Sequence, residues 1–498
     1  MYNKAFTQME PQISISHANE IRRIVTKERP DRSSRGDLSL ALEVASDRAR
    51  ILYSSAFRRL QQKTQVFSLS TNAAVRGRLS HSLEVSDVGR QIVARLEGFF
   101  KPLGCDLFTA IALMVETACL MHDIGNPPFG HFAEVVIQRW FQERWARHYV
   151  SSTGTSVPED GSGTISKLSK DFVKFDGNPQ GIRITTRLQG RTKRERCEHG
   201  MNLTLSQLLT GLKYLASPSE VSESGKKAGF FESERDRVEY ARSQLGIDKG
   251  RRFPLAYIVE VSDDISYCLS DIEDGIEQDV FDARDFFDEM GELKVNWREV
   301  LEIPSDRLNN KRPNRDDFFV FKTYFTRSLI QHAVRRYQER HESIMEGEMP
   351  SIFSTTDEEW QLLEHLKGIA GRHLYSSAKV ELALRVGLEV VQGILDHFEP
   401  LLRLSKSQFD ALAEARKTGD RKSVRLSKHD PELLLYDILP KTYIEIYESE
   451  RDHPPNESAG NDWEWFCRVH LILDFLCGMT DDFALKTFHA FAGIRHDP

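Results

Sequence analysis

The feature that most constrains this chain is an apolar run that ends in a histidine and an aspartate. Residues 107–121 are apolar apart from a few positions such as Glu116, and they predict a helix buried on most of its faces. The run is shorter than the ~18–20 uninterrupted apolar residues of a membrane span, so other parts of the protein must cover it. It leads directly into His122-Asp123-Ile124-Gly125-Asn126-Pro127-Pro128-Phe129-Gly130-His131. Adjacent side chains in mid-helix diverge by ~100° and cannot share a ligand. At a helix end they can, because Gly125 and the two prolines release the backbone from helical geometry. An ionised Asp buried beside a His costs several kcal/mol unless a cation or hydrogen-bond donors compensate, and a metal ion is the simplest compensation.

Periodicity elsewhere is helical. Leu83, Val85, Val88, Ile92, Val93 and Leu96 recur at three- and four-residue steps, which predicts an amphipathic helix over 82–99. Further helices are predicted over 132–149, 253–276, 318–340 and 378–398, and strand-like alternation is rare. The fold class is therefore all-α. Three segments read as insertions or linkers: the Ser/Thr/Gly-rich stretch 151–170, the basic stretch 188–200 with Arg191, Lys193, Arg194 and Arg196, and the polar stretch 217–252. Residues 304–316 form a polar break. The expected organisation is an N-terminal segment (1–45), a catalytic core (46–300) with insertions at 151–170 and 188–200, and a helical C-terminal region (301–498).

A metal needs more ligands than one pair. His81 opens the amphipathic helix, and Asp263 and Asp264 lie within an otherwise apolar helix. Two imidazoles and two carboxylates suit Mn²⁺, Mg²⁺, Fe²⁺ or Co²⁺ with open positions better than a closed structural Zn²⁺ site. His131 and Glu134 are three residues apart on the next helix and share a face. A carboxylate beside an imidazole fixes its tautomer and raises its pKa, which prepares it for proton transfer.

Charge and cysteine usage narrow the setting. The chain has 67 Lys and Arg against 75 Asp and Glu, a net charge of −8, which excludes a general DNA-coating protein but not a local anion pocket. The six cysteines include no CxxC pair and are too sparse for a disulfide framework, so reduced thiols are expected. The N-terminal residues lack the charged-then-apolar pattern of a signal peptide. A cytoplasmic protein without membrane contact is the expectation.

These segments resemble the HD-domain phosphohydrolases, and within them the bacterial deoxyguanosine triphosphate triphosphohydrolases (dGTPases). The likeness is carried by residues 57–67, by 72–76 running into Arg78-Leu79-Ser80-His81-Ser82, by 121–132, and by Phe175-Asp176-Gly177-Asn178-Pro179-Gln180-Gly181-Ile182-Arg183. It continues through Met201-Asn202-Leu203-Thr204, Leu212-Lys213-Tyr214, residues 262–274, and Gly478-Met479-Thr480-Asp481. The segments around Pro127-Pro128 and Asn178-Pro179-Gln180 set this family apart from HD proteins that cleave cyclic nucleotides.

The resemblance implies His81, His122, Asp123 and Asp263 as metal ligands, with His131 as the catalytic histidine oriented by Glu134. It implies Lys213 and Tyr214 on the phosphates, Gln65 and Asn178 on the nucleoside, and Tyr267 and Asp271 along the sugar. Tyr375 and Arg416 are the candidates for the base pocket. The implied reaction is metal-dependent hydrolysis of dGTP to deoxyguanosine and inorganic triphosphate. The implied assembly is a homo-oligomer, such as a hexamer, with single-stranded DNA or a nucleotide as a possible effector. A broad-specificity dNTP triphosphohydrolase, or another HD-domain nucleotide phosphohydrolase such as one acting on nucleoside monophosphates, is the alternative within enzymes. A non-catalytic nucleotide or DNA sensor on the same scaffold is the alternative outside them, and its expected signature is a lost ligand or a lost His131/Glu134 pair.

Overall fold

The computed structural model describes residues 11–31, 36–70, 72–189, 200–221, 227–304, 306–308, 313–421, 429–454 and 460–494. Among the described residues there is no β-strand, and the one isolated β-bridge pairs Thr64 with Gly77. The helices that place the site are α1 (Leu40–Leu52), α2 (Arg78–Arg95), α3 (Cys105–Met121), α4 (His131–Thr153), α5 (Gly177–Arg183) and α6 (Ala256–Glu277). They are followed by α7 (Arg315–Glu339), α8 (Ala378–Arg403), α9 (Lys441–Arg451), α10 (Gly460–Cys477) and α11 (Asp481–Phe491). The helices expected from periodicity are all present, with ends displaced by a few residues.

Helix α3 is the apolar run, and it is central for the reason its composition gives. Ala110, Ile111, Met114, Val115 and Ala118 are fully buried, covered by α1, α2 and α6. Burial of a large aliphatic side chain contributes ~1.5–3 kcal/mol, so a helix apolar all round is stable only when surrounded. Among the described residues no helix is long and apolar enough to cross a membrane.

The buried apolar side chains fall into two clusters, and each draws on both halves of the sequence. Val85 and Ile92 of α2 share one with Phe318, Phe321 and Phe325 of α7. Ile137 and Phe141 of α4 share the other with Val391, Ile394 and Phe398 of α8. The polar break at 304–316 thus separates helices in sequence while α7 lies against α2 and α6.

Two of the expected linkers are more ordered than their composition implies. Helix α4 runs into 151–170 and stops at Gly154, whose φ is +69°. Short helices Thr164–Leu168 and Lys170–Val173 follow, with Ile165, Leu168 and Phe172 buried in the second cluster. A few apolar residues anchor a segment whose Ser, Thr and Gly content reads as loop. Within 217–252 a helix forms over Arg235–Leu245 on buried Val238, Ala241 and Leu245. The basic run Arg191 to Arg196 lies outside the described residues. Cys119, Cys268, Cys467 and Cys477 are buried free thiols, and Cys105 is exposed.

A buried ionic knot joins α5 to the C-terminal helices. Arg183, 1% exposed, contacts Glu450 and Asp474 at 2.8 Å each and Glu234 at 3.0 Å. Gln180 donates to Asp474 at 3.0 Å. Removing one partner of such a network leaves the others charged and unpaired, which costs more than the pair contributes. Arg183→Met is expected to lower unfolding free energy by ~3–5 kcal/mol. Denaturant titration of the full chain reads this directly, and an unchanged midpoint would contradict it.

Candidate metal centre and adjoining proton-transfer pair

Three donors meet where α2, the end of α3, and α6 approach one another. One ligand atom each from His81, His122 and Asp263 lies within 4.8 Å of the others. His81 Nε2 is 3.4 Å and His122 Nε2 is 3.6 Å from Asp263 Oδ1. The two imidazole rings stand at 71° with centroids 5.2 Å apart. His122 Nδ1 bonds the Cys119 carbonyl at 2.7 Å, which makes it the donor and leaves Nε2 with a lone pair. His122 Nε2 and both ring nitrogens of His81 are buried without a hydrogen-bond partner. Unsatisfied imidazole nitrogens around a carboxylate fit a divalent cation, because a coordinate bond supplies what the protein leaves unmade.

Asp123 adjoins this triad without belonging to it. Its Oδ1 is 3.6 Å from His122 Nε2 and accepts from Asn126 Nδ2 at 2.5 Å. Its Oδ2 accepts from Arg78 Nη1 at 2.6 Å. Burial pushes the Asp123 carboxyl up, but Arg78, His122 and His81 outweigh it and hold it well below the usual range. Asp263 follows the same pattern: burial raises it, while Lys213, 3.0 Å from Oδ2, and His122 hold it far down. Both carboxylates are therefore charged. Asp264 is not part of the cluster.

The His131/Glu134 pair sits at the start of α4. His131 Nδ1 and Glu134 Oε2 are 3.0 Å apart, and Glu134 Oε1 accepts from the Gly177 N–H at 2.9 Å. The His131–Glu134 hydrogen bond is the main cause that raises the His131 pKa above its ordinary value. The His131 side chain is 61% exposed and that of Glu134 is 8% exposed. Arg78 lies between the two groups: its Nη1 holds Asp123, which adjoins the triad, and its Nη2 lies beside Gly130, which precedes His131, where a Cβ would come within 2.4 Å.

Glycines make this juxtaposition possible. A Cβ on Gly125 would come within 2.1 Å of the Gly177 carbonyl and 2.2 Å of the Gly181 N–H. The loop after α3 and the start of α5 thus meet backbone to backbone, which explains physically why both motifs occur in one chain. Phe129 and Gly130 follow with φ of +63° and +66°. A left-handed phenylalanine is strained, and such strain gathers at functional sites.

The remaining expected residues divide. Asp263, Tyr267 and Asp271 are spaced by four along α6 and share a face. Asp271 Oδ2 accepts from the Tyr375 hydroxyl at 2.6 Å, and its Oδ1 is buried without a partner. Burial pushes the Asp271 carboxyl up to about 6 against the pull of that hydroxyl. Lys213 reaches Asp263 and lies over the Tyr214 ring, 5.9 Å from its centroid. Lys367 lies 5.8 Å over Tyr267. The Asn178 Nδ2 donates to Asp176 Oδ1 at 2.7 Å, and Gln65 Oε1 is buried without a partner. Among the described residues neither one is hydrogen-bonded to the triad. Arg416 is elsewhere: its Nη1 donates to the Tyr436 and Leu439 carbonyls at 2.9 Å, so it caps a helix end and is not part of this site. Arg78 had no assigned role in the sequence, although its three-residue spacing to His81 places both on one face of α2.

The fold and these donors define an HD-domain protein, and the HD domain family matches residues 78–153. The chain is 34% identical to a protein of Pseudomonas aeruginosa named "Probable deoxyguanosinetriphosphate triphosphohydrolase", over 94% of this chain and 98% of that one. It is 32% identical to a Serratia proteamaculans protein named "Deoxyguanosinetriphosphate triphosphohydrolase", over 91% of this chain and 94% of the relative. An Enterobacter protein of the same name is 33% identical over 90% and 94%. The chain belongs to the bacterial HD-domain deoxyguanosinetriphosphate triphosphohydrolase family.

A metal held by these donors predicts a specific binding loss. His122→Ala should weaken Mn²⁺ affinity at least ~10–100-fold, as loss of even an outer partner does in metal sites. Titration calorimetry of the full chain with Mn²⁺ alone measures this without reference to turnover. Wild-type affinity in the variant would remove His122 from the ligand set.

Proposed function

We propose that this chain hydrolyses dGTP to deoxyguanosine and inorganic triphosphate. The observation that carries the reading is one site where three metal-ligand atoms converge, two of them on imidazoles with unpartnered nitrogens, beside a hydrogen-bonded His/Glu pair, in a chain of this family. His81, His122 and Asp263 would hold the ion, with Asp123 adjoining them as the further candidate. The mixed imidazole and carboxylate set favours Mn²⁺ or Mg²⁺, with Fe²⁺ or Co²⁺ also compatible. When bound, such an ion supplies positive charge beside the α-phosphoryl oxygens and lowers the pKa of the attacking water.

The protein's own groups do the rest. Release of intact triphosphate means that water attacks the α-phosphorus and the bond from phosphorus to the sugar O5′ breaks. The departing alkoxide is strongly basic and needs a proton as it leaves. His131, in its imidazolium form, donates that proton, and Glu134 keeps it protonated and oriented. Lys213 offsets the charge spread over the phosphates, with Tyr214 beside it. Gln65, with its unpartnered buried oxygen, meets the nucleoside, as does Asn178. Tyr267 and Asp271 line the sugar side, where a close fit excludes a 2′-hydroxyl. Tyr375, drawn onto Asp271, brings the C-terminal region into the substrate pocket. Guanine preference is supported by the names of the relatives. The assembly that goes with this reading is a homo-oligomer, with a hexamer as the working size and single-stranded DNA or a nucleotide as effector.

Chromatography of products from the four dNTPs and GTP with Mn²⁺ tests the reaction. Deoxyguanosine and triphosphate from dGTP are expected, and dGMP with pyrophosphate, or dGDP with phosphate, would reject it. His131→Ala should lower kcat by ~10²–10⁴-fold. The pH dependence has a definite sign. A proton donor is active below its folded pKa and inactive above it, and Glu134 raises that pKa. In a profile of kcat against pH, Glu134→Gln should therefore move the alkaline limb to lower pH. A limb that stays put, or moves up, would refute the acid role of His131.

A further inference from the structure

Gly478-Met479-Thr480-Asp481 belongs to the family likeness, yet the reaction as described gives it no task. In the structure it is a clasp. Thr480 caps α11, accepting from the Phe483 N–H at 3.3 Å. Asp481 is 2% exposed and spends its carboxylate away from its own helix. Oδ1 accepts from the Phe129 N–H at 3.0 Å, and Oδ2 accepts from the Thr64 N–H at 3.1 Å and from the Thr64 hydroxyl. Next to it, the Lys63 ammonium donates to the Asn126 carbonyl at 2.5 Å and to the Cys477 carbonyl at 2.6 Å.

The partners are what make the clasp informative. Phe129 and Gly130 are the left-handed pair that turns the chain into His131. Thr64 immediately precedes Gln65 and pairs with Gly77, and the Arg78 N–H donates to the Lys63 carbonyl at 2.9 Å. One carboxylate therefore fixes the loop that aims the proton donor and the loop that presents the nucleoside contact. Neither loop is regular structure, and a strained turn persists only where its surroundings over-determine it.

We propose that Asp481 is a positioning residue for the hydrolysis, holding the 129–131 turn and the 63–65 loop in register across the site. The inference rests on the proposed roles of His131 and Gln65. Asp481 does not touch the metal donors, so it acts on alignment and not on ion binding. Displacement of ~1 Å at a reacting group costs up to ~10²-fold in rate, so a lost anchor is kinetically visible. A helix-starting acid with no further task would alter stability alone.

The test uses the full chain with dGTP and Mn²⁺, reading kcat, KM, Mn²⁺ affinity and melting temperature together. Asp481→Asn has one acceptor oxygen, and its amide nitrogen faces a donor N–H in either orientation. Its kcat should fall at least ~10-fold while Mn²⁺ affinity stays unchanged, since a modest misalignment suffices for that. Thr64→Val removes only the hydroxyl and should raise KM more than it lowers kcat, and Thr64→Ser should restore KM. Ser405→Ala, which removes the cap of the helix Lys406–Thr418, is the stability control, since Ser405 has no hydrogen bond to either loop. It should lower the melting temperature and leave kcat and KM unchanged.

Wild-type kcat and KM in Asp481→Asn, or a melting shift like that of Ser405→Ala with unaltered kinetics, would overturn the proposal. If Asp481→Asn is insoluble, the Thr64 pair decides: equal KM for Val and Ser variants overturns it. Wild-type protein that converts dGTP to another product overturns only the functional reading, and the same comparison on that product still judges Asp481. Wild-type protein inert to all four dNTPs overturns both.

Discussion

Two shielded carboxylates placed beside two imidazoles set the terms for the rest of this structure. Asp123 and Asp263 are held in the charged state by Arg78 and Lys213 despite burial. Those two cations face only one oxygen of each acid. Asp263 Oδ1 looks toward His81 Nε2 and His122 Nε2, and Asp123 Oδ1, which also accepts from Asn126, looks toward His122 Nε2; both of those nitrogens lack protein partners. Desolvated acceptors of this kind are costly unless something occupies the space between them. The helices must then be rigid enough to keep the donors apart in the absence of a ligand. That is what an all-round apolar α3, covered by α1, α2 and α6, provides.

The loops are the less obvious half of the design. His122 and His131 are nine positions apart, but the chain between them leaves α3, crosses two prolines, and enters α4 through two left-handed residues. Its path is fixed by contacts to distant segments. Gly125 lies against Gly177 and Gly181, Lys63 holds the Asn126 carbonyl, and the Gly177 N–H holds Glu134. The Arg183 knot then ties α5 to α9 and α10. Geometry at His131 thus depends on the C-terminal third of the chain through a continuous path of short polar contacts.

How much of this was legible in the sequence depends on range. Helices with a strong apolar period could be read closely, because the period is a local property. The convergence of His81, His122 and Asp263 could be anticipated, because His and Asp in apolar helices are costly without a purpose and the family resemblance grouped them with Asp123. Arg78 was within reach through its spacing to His81. Asp481 was not, because its partners Thr64 and Phe129 lie 417 and 352 positions away and no periodicity spans that distance. Segment 151–170 was misread for a different reason: a few buried residues, Ile165 and Leu168 among them, outweigh a loop-like composition. Arg416 shows the converse. A cation in the less recognisable C-terminal region suggests a ligand contact, but two backbone carbonyls already use it.

The contrast in exposure between the two halves of the site has a chemical logic under the proposed reaction. The triad must be dry enough for charge to act strongly on a phosphoryl group, and His81 is 1% exposed. A proton donor has the opposite need, since each turnover leaves it deprotonated and it must recover a proton from solvent. The His131 side chain is 61% exposed while that of its partner Glu134 is 8% exposed. An exposed imidazole alone would have an ordinary pKa and a free orientation. A buried carboxylate beneath it, itself fixed by the Gly177 N–H, raises the first and removes the second. The i, i+3 spacing of His131 and Glu134 is thus one residue open to solvent and one anchored in the protein. That arrangement lets a single short helical turn be both resupplied with protons and held in place.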